Sequence, residues 1–265
     1  RAPDYLICWD EFERQSAIEI HGFSPERIFV TGILRYDHHY VNSPLEVDRT
    51  TFLKQKNLDP ALRTIFFSPR VYKTSTFYTD FIEAFLDWQE KDVFGEKLNL
   101  FVRVHPLDST EPFEKFSGHQ NIHVERGGKE LQSDKTKGQK VELNELDHIN
   151  TKMTVKYTDI SVSITSAMSL EAMICDKPVV NIGFVPGYEE FPFFPHYRPL
   201  IDFSAVRLAM NMDEVREYIA DYLRDPTLDA EGRKKVLKLV IEPTDGNSAK
   251  RNVECLGTIL EKERV

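Results

Sequence analysis

The sequence predicts an α/β fold, a parallel sheet with helices on both faces. Two observations carry that expectation. Short apolar runs alternate with amphipathic stretches of about 10 to 15 residues, the pattern of strand–helix–strand units. Residues 159–183 then compress the pattern into one segment. There an apolar strand (Ile160 to Ile164) meets a turn of small residues (Thr165, Ser166, Ala167). A helix from about Met168 to Ile174 follows, then a stop at Cys175 to Pro178 and a second buried strand from Val179 to Ile182. A small-residue turn that opens a helix presents unpaired backbone N–H groups and the positive end of the helix dipole, the ingredients of a phosphate site.

The remaining elements follow in order. Tyr5 to Trp9 reads as a strand, Asp10 to Ile20 as a helix capped by Asp10 and stopped at His21-Gly22, and Ile28 to Thr31 as a second strand closed by Gly32. Tyr36 to Pro44 reads as a linker and Val47 to Lys56 as a helix. Thr64 to Ser68 is a buried strand broken by Pro69-Arg70, and Phe77 to Gln89 is an amphipathic helix with Phe77, Phe81, Ala84, Phe85 and Trp88 on one face. Leu98 to Val104 and Ile122 to Val124 are strands, 126–140 is a polar, Gly-rich loop, and Leu143 to Lys156 is a helix. After an aromatic and Pro-rich stretch, Leu200 to Phe203 reads as a short strand. Met212 to Leu223, Ala230 to Val240 and Ser248 to Glu263 read as helices. No internal repeat or low-complexity segment interrupts the series.

Composition narrows the function. With 41% hydrophobic and 29% charged residues the chain is an ordinary globular sequence, and its 265 residues can bury a large core. A formal charge of −9 argues against general nucleic-acid binding but leaves room for a local basic cleft. Cys8, Cys175 and Cys255 are few, widely spaced and offer no zinc motif, which suits a reducing, cytoplasmic setting. No apolar run reaches the roughly 20 residues that span a bilayer. The chain opens on Arg1 without an initiator Met, and is expected to be part of a longer protein.

In a parallel sheet ligands sit beyond the carboxyl ends of the strands. The residues at those positions are Ser68 to Arg70, Arg103 to His105, Arg126 to Gly128, Thr165 to Ala167 and Gly183 onward, a set rich in groups that hold phosphate.

Four segments resemble a known pattern: Arg27-Ile-Phe-Val-Thr-Gly-Ile-Leu-Arg-Tyr-Asp37, Phe101-Val-Arg-Val-His-Pro106, Ser163-Ile-Thr-Ser-Ala-Met-Ser-Leu-Glu-Ala172 with Lys177-Pro178, and Asp245-Gly-Asn-Ser-Ala-Lys-Arg251. They are similar to the Gly-x-x-Arg-x-Asp segment, the Arg-x-His-Pro strand end, the donor-binding turn and the last helix start of GT-B-fold transferases of cell-surface polymer synthesis. CDP-glycerol glycerophosphotransferases and capsular polysaccharide transferases are the families meant, and UDP-N-acetylglucosamine 2-epimerases share the fold. The resemblance implies a Rossmann-like, donor-binding C-terminal domain over residues 41–265, with 1–40 as the tail of an N-terminal domain and its linker. Two departures stand out: Ser166-Ala167 replaces the Gly-Gly or Ser-Ser pair of many members, and the N-terminal domain that normally holds the acceptor is expected to lie outside the residues given.

At these strand ends Arg70, Arg103, Thr165, Ser166, Ala167 and Met168 are expected to hold donor phosphates and His105 to contact phosphate or act as acid or base in catalysis, and the resemblance implies that Glu171 accepts from ribose hydroxyls. Each has a plainer reading. Thr165, Ser166 and Glu171 also fit a capped helix with a solvated acid, His105 a strand-end residue before Pro106, and Arg103 and Arg70 ion pairs. His196 and Tyr197 read as a hydrophobic plug or as a cover over the base. Asp245, Gly246 and Ser248 read as a cap of the last helix. His38-His39 reads as linker surface without a carboxylate partner at metal spacing, and the Lys-rich loop 129–140 as solvated.

The expected function is therefore transfer of a glycosyl or glycerophosphoryl group from a nucleotide-sugar or CDP-glycerol donor to a polysaccharide or lipid-linked acceptor. No cofactor or metal is expected, nor nucleic acid. Peripheral membrane association stays open through the missing parts, at the cytoplasmic face. A nucleotide-sugar epimerase and a non-catalytic nucleotide-binding scaffold are the alternatives.

Overall fold

The computed structural model describes residues 3–69, 77–130, 141–164, 166–187, 189–190, 193–194, 197–243 and 245–262. Its N-terminal part is a small parallel pair, β1 (Leu6–Cys8) and β2 (Ile28–Val30), bridged by α1 (Glu11–Glu19). Asp10 caps α1 by accepting from the Glu13 N–H at 2.7 Å. Cys8, Ala17 and Ile28 form a core of their own for this unit.

The segment expected to be linker is instead ordered as a turn of 3₁₀ helix (Leu34–Tyr36) running into α2 (Asp37–Tyr40). Its short length and polar Asp-His-His sequence hide it from periodicity, which needs several turns to register. α3 (Arg49–Gln55) follows, capped by Asp48 through the Thr51 N–H at 3.0 Å.

The main sheet then builds from β3 (Arg63–Ser68), α4 (Phe77–Glu90), β4 (Leu98–Val104) and β5 (Ile122–Arg126). The short antiparallel pair β6 (Lys129–Glu130) and β7 (Val141–Glu142) interrupts it, and residues 131–140 of the expected loop lie outside the described residues. α5 (Glu145–Tyr157) starts with a reciprocal Asn144/Asp147 capping box. β8 (Ile160–Ser163), α6 (Met168–Ile174) and β9 (Val179–Ile182) reproduce the strand–turn–helix–strand reading of 159–183. Of residues 200–203, expected as a strand, the first three belong to α7 (Arg198–Asp202) and Phe203 is its C-cap. Pro199 near its start and the i,i+4 pair Arg198–Asp202 at 2.8 Å favour the helix. The sixth strand, β10 (Arg207–Ala209), is a three-residue edge piece too short to signal itself. α8 (Met212–Arg224), α9 (Ala230–Val240) and α10 (Ser248–Lys262) complete the chain.

The strand order is β10-β9-β8-β3-β4-β5, every pair parallel. Counted in chain order within this sheet, the strands stand as 6-5-4-1-2-3, the doubly wound arrangement. Alternation along the strands sorts the core into two layers. Ile65, Phe67, Leu100 and Val102 pack with α4 and α8, while Phe66 and Phe101 face α3, α5, α6 and α9. The α4 ridge of Phe81, Phe85 and Trp88 is buried against the first layer. Truncating Phe81 to Ala would cost about 3–5 kcal/mol. The crossover reverses between β3 and β8, so the sheet leaves a crevice at their carboxyl ends.

Candidate functional site

That crevice is a cleft of about 310 Å³. β3 contributes Ser68 and Pro69, β4 leads into Val104, His105 and Pro106, and the β8–α6 turn brings Ser166, Ala167 and Met168. Arg35 and His38 close one side, and Asp147, His148 and Thr151 of α5 another.

Glu171 sits at its floor. Its side chain is 1% exposed and both oxygens are engaged. Arg35 Nη2 donates to Oε1 at 3.2 Å, and His39 Nε2 lies 3.1 Å from Oε2. An ionised carboxylate only accepts, so this His39 nitrogen carries a proton. The far side of the ring, Nδ1, lies 3.9 Å from Cys175 Sγ. His38 stacks beside His39 with ring centroids 4.2 Å apart, and His148 approaches His38 at 5.5 Å.

Burial alone would raise the Glu171 carboxyl. The hydrogen bond from His39 and the charges of His39, Arg35 and His38 outweigh it and hold the group below its ordinary value. Burial, seconded by His39 and His148, pushes His38 down to about 4. Burial also lifts the Cys175 thiol to about 11, which keeps it an inert thiol.

The Gly-x-x-Arg-x-Asp register explains why these side chains converge. Gly32 has φ +86°, and its missing side chain admits Ser248 Oγ and the Pro243 carbonyl. Asp37 caps α10. Arg35 and His39 are four residues apart on a helical turn, so they share a face and reach one carboxylate. The reading of His38-His39 as linker surface is thereby corrected. The His39 side chain is 1% exposed and its carboxylate partner comes from 132 residues along the chain. Only the i,i+4 spacing of Arg35 and His39 hinted at a common target.

The other expected site residues divide. His105, exposed at the cleft mouth, accepts from the Leu107 N–H through Nδ1 at 3.2 Å, so a neutral ring carries its proton on Nε2. Arg103 lines the cleft, but its guanidinium is committed to Glu125, to the Asp147 carbonyl at 3.3 Å and to Thr151 Oγ1 at 3.1 Å, the ion-pair alternative. Ser166 Oγ accepts from the Met168 N–H at 3.2 Å, and Ala167 is exposed at the helix start with no side-chain cap. Glu171 faces the cleft floor rather than open solvent. Arg70, Thr165 and His196 lie outside the described residues. Tyr197 is buried and joins Ser163, Ser169 and Asn181 in a polar network under the turn, with Ser169 Oγ 3.1 Å from its hydroxyl. That packing fits the plug better than the cover.

No protein-family model matches the sequence, and no curated protein does. Solved structures match throughout its length. A variant of the wall teichoic acid polymerase TagF soaked with CDPG aligns with a TM-score of 0.61 at 11% identity, covering 99% of this chain and 57% of that one. S. aureus MnaA in complex with UDP aligns with a TM-score of 0.62 at 13% identity, over 97% of this chain and 61% of that one. UDP-GlcNAc 2-epimerase from Neisseria meningitidis, bound to UDP-GlcNAc, gives 0.62 at 15% identity, with 96% and 62% covered. The chain thus spans about three fifths of the length of these neighbours. It shares the fold of these GT-B proteins, as the resemblance in sequence implied, and identities this low speak to the fold alone.

Proposed function

We propose that this chain binds the nucleotide-activated donor of a GT-B transferase. That enzyme would move a glycosyl or glycerophosphoryl group to a cell-surface polysaccharide or teichoic-acid-like acceptor at the cytoplasmic face of the membrane. The observation that carries the reading is the cleft at the β3/β8 crossover, where Arg35, His105 and the start of α6 converge although the whole chain is acidic. Residues 41–265 would form the donor domain and 1–40 the tail of a partner domain that supplies the acceptor.

The chemistry asked of these residues is stabilisation of a leaving nucleotide. Arg35, its side chain 56% exposed, is the mobile cation, able to turn from Glu171 toward a diphosphate. His105, at the cleft mouth, would meet a phosphate oxygen there or take part in acid–base work. The start of α6, with Ala167 exposed and without a side-chain cap, adds the helix-start field. When Arg35 turns outward, Glu171 Oε1 would be released to accept from a ribose hydroxyl. No helix among the described residues is long and apolar enough to cross a membrane.

A second reading, a nucleotide-sugar 2-epimerase, draws support from the UDP-GlcNAc 2-epimerase neighbours. Release of free UDP with an epimerised sugar would favour it over group transfer. Calorimetric titration with CDP, UDP, GDP and CMP tests both at once. Binding of a diphosphate is expected, and silence from all four at millimolar concentration would sink the donor-site reading.

A further inference from the structure

We propose that His38, His39 and Glu171 form a binding site for one divalent transition-metal ion of zinc-like chemistry at the floor of the cleft. One donor atom from each residue lies within 4.8 Å of the others, a spacing that small side-chain movements close to metal–ligand geometry.

The independent observation is His38 Nε2. It is buried and has no hydrogen-bond partner. An unsatisfied buried acceptor costs about 1–3 kcal/mol, so such an atom calls for something to hold. The other ring nitrogen is already used. The backbone of Arg35 is the hydrogen-bond partner of the ring, and with Nε2 unpartnered that bond falls to Nδ1–H, so the lone pair is left on Nε2. An imidazole whose far nitrogen donates to a backbone carbonyl is the arrangement that orients a metal ligand.

The donor set selects the ion. Two imidazoles and one carboxylate suit Zn²⁺, Co²⁺ or Ni²⁺, whereas Mg²⁺ and Ca²⁺ favour oxygen ligands throughout. The ion would take Glu171 Oε2 and His39 Nε2 in place of the hydrogen bond between them, with the proton of a neutral His39 ring moving to Nδ1. Arg35 sits on the other oxygen and is half-exposed, free to withdraw from the new positive charge. Three protein ligands leave a position open toward the cleft, the pattern of catalytic rather than structural sites. This departs from the metal-independent site expected from the sequence, and it does not rest on the nucleotide reading.

The test is a Co²⁺ titration of the chelator-treated chain, followed by its visible d–d absorption, with Zn²⁺ as competitor. One Co²⁺ per chain, displaced by Zn²⁺, is expected. His38→Gln should weaken Co²⁺ binding by at least about tenfold with an unchanged thermal melt, while His21→Gln, on the surface near α1, should bind as before. Absence of Co²⁺ binding at millimolar concentration, or equal affinity in a folded His38→Gln chain, overturns the site. Should that variant fail to fold, X-ray absorption of the Zn²⁺-loaded natural chain decides. Two imidazoles in the first shell support the assignment, and a sulfur ligand or fewer imidazoles refutes it.

Discussion

Asp37 caps a helix that begins 211 residues later: its Oδ1 accepts from the Ser248 N–H at 3.1 Å and its Oδ2 from the Ala249 N–H at 2.9 Å. The acidic cap expected within 245–248 thus has a different owner. Asp245 instead accepts from the Asn247 N–H at 3.0 Å and from Arg251 at 2.9 Å. Because Asp37 begins α2, the same bonds that cap α10 fix the helix carrying His38 and His39. Asp37→Ala should cost about 1–2 kcal/mol, as loss of a capping carboxylate does. Urea unfolding measures it. A loss no larger than that of Asp245→Ala would remove Asp37 from this role.

Gly32 is the second point of that junction. A Cβ there would stand 2.5 Å from Ser248 Oγ and 2.8 Å from the Pro243 carbonyl, at a φ of +86° that L side chains rarely adopt. Backbone cannot yield as a flexible side chain can, so Gly32→Ala carries both strain and overlap. Stability should fall by about 2–4 kcal/mol. By contrast Gly95, also at positive φ but with open space around it, should lose less on the same change. Equal thermal shifts for the two variants would show that the close approach is relaxed in solution.

The sheet was legible because its strands advertise themselves. β4, Leu98–Val104, is apolar at Leu98, Leu100, Phe101, Val102 and Val104, and α6 is followed by the stop at Cys175 to Pro178, so sequence and structure agree on both. Of the residues beyond the strand ends, Ser68, Arg103, His105, Gly127, Ser166 and Ala167 line one cleft, since parallel strands put their carboxyl ends on one edge. What stayed hidden depends on contacts over long separations. Nothing in the neighbourhood of His39 announces Glu171, and a four-residue helix such as α2 carries too little periodicity to be recognised. Arg103 shows the opposite failure. Its position at a strand end pointed to a ligand, but β4 pairs it across to Glu125 in the adjacent strand, and the ion pair satisfies it.

Arg35 is the charge expected to move between Glu171 and a donor phosphate. Arg35→Ala leaves Glu171 with His39 alone, but half-exposure of Arg35 limits the cost to about 1 kcal/mol. Its effect on CDP or UDP binding should be larger, about tenfold in Kd, and smaller for CMP, which offers one phosphate fewer. Parallel calorimetry on the two proteins checks this. Identical weakening for mono- and diphosphates would mean that Arg35 acts only through the fold.

Glu125 sets a pH window of its own. Burial would raise its carboxyl, but the hydrogen bond from His123 and the charges of Arg103 and Lys56 hold it at about 2, against an ordinary 4.5. Lys56 Nζ lies 2.5 Å and His123 Nε2 3.1 Å from Oε2, while Arg103 takes Oε1. The folded value is depressed, so the unfolded chain binds more protons between 4.5 and 2. The stabilisation is therefore complete above 4.5 and is lost as pH falls through about 2. Its size is about 3 kcal/mol. Glu125→Gln removes it and leaves Arg103 and Lys56 facing a neutral amide. Denaturant unfolding of both proteins from pH 7 downward should show a stability gap that is constant to about pH 5 and narrows steadily below it. A gap that stays the same at pH 3 as at pH 7 would mean that Glu125 is already neutral, or already solvated, in the folded chain.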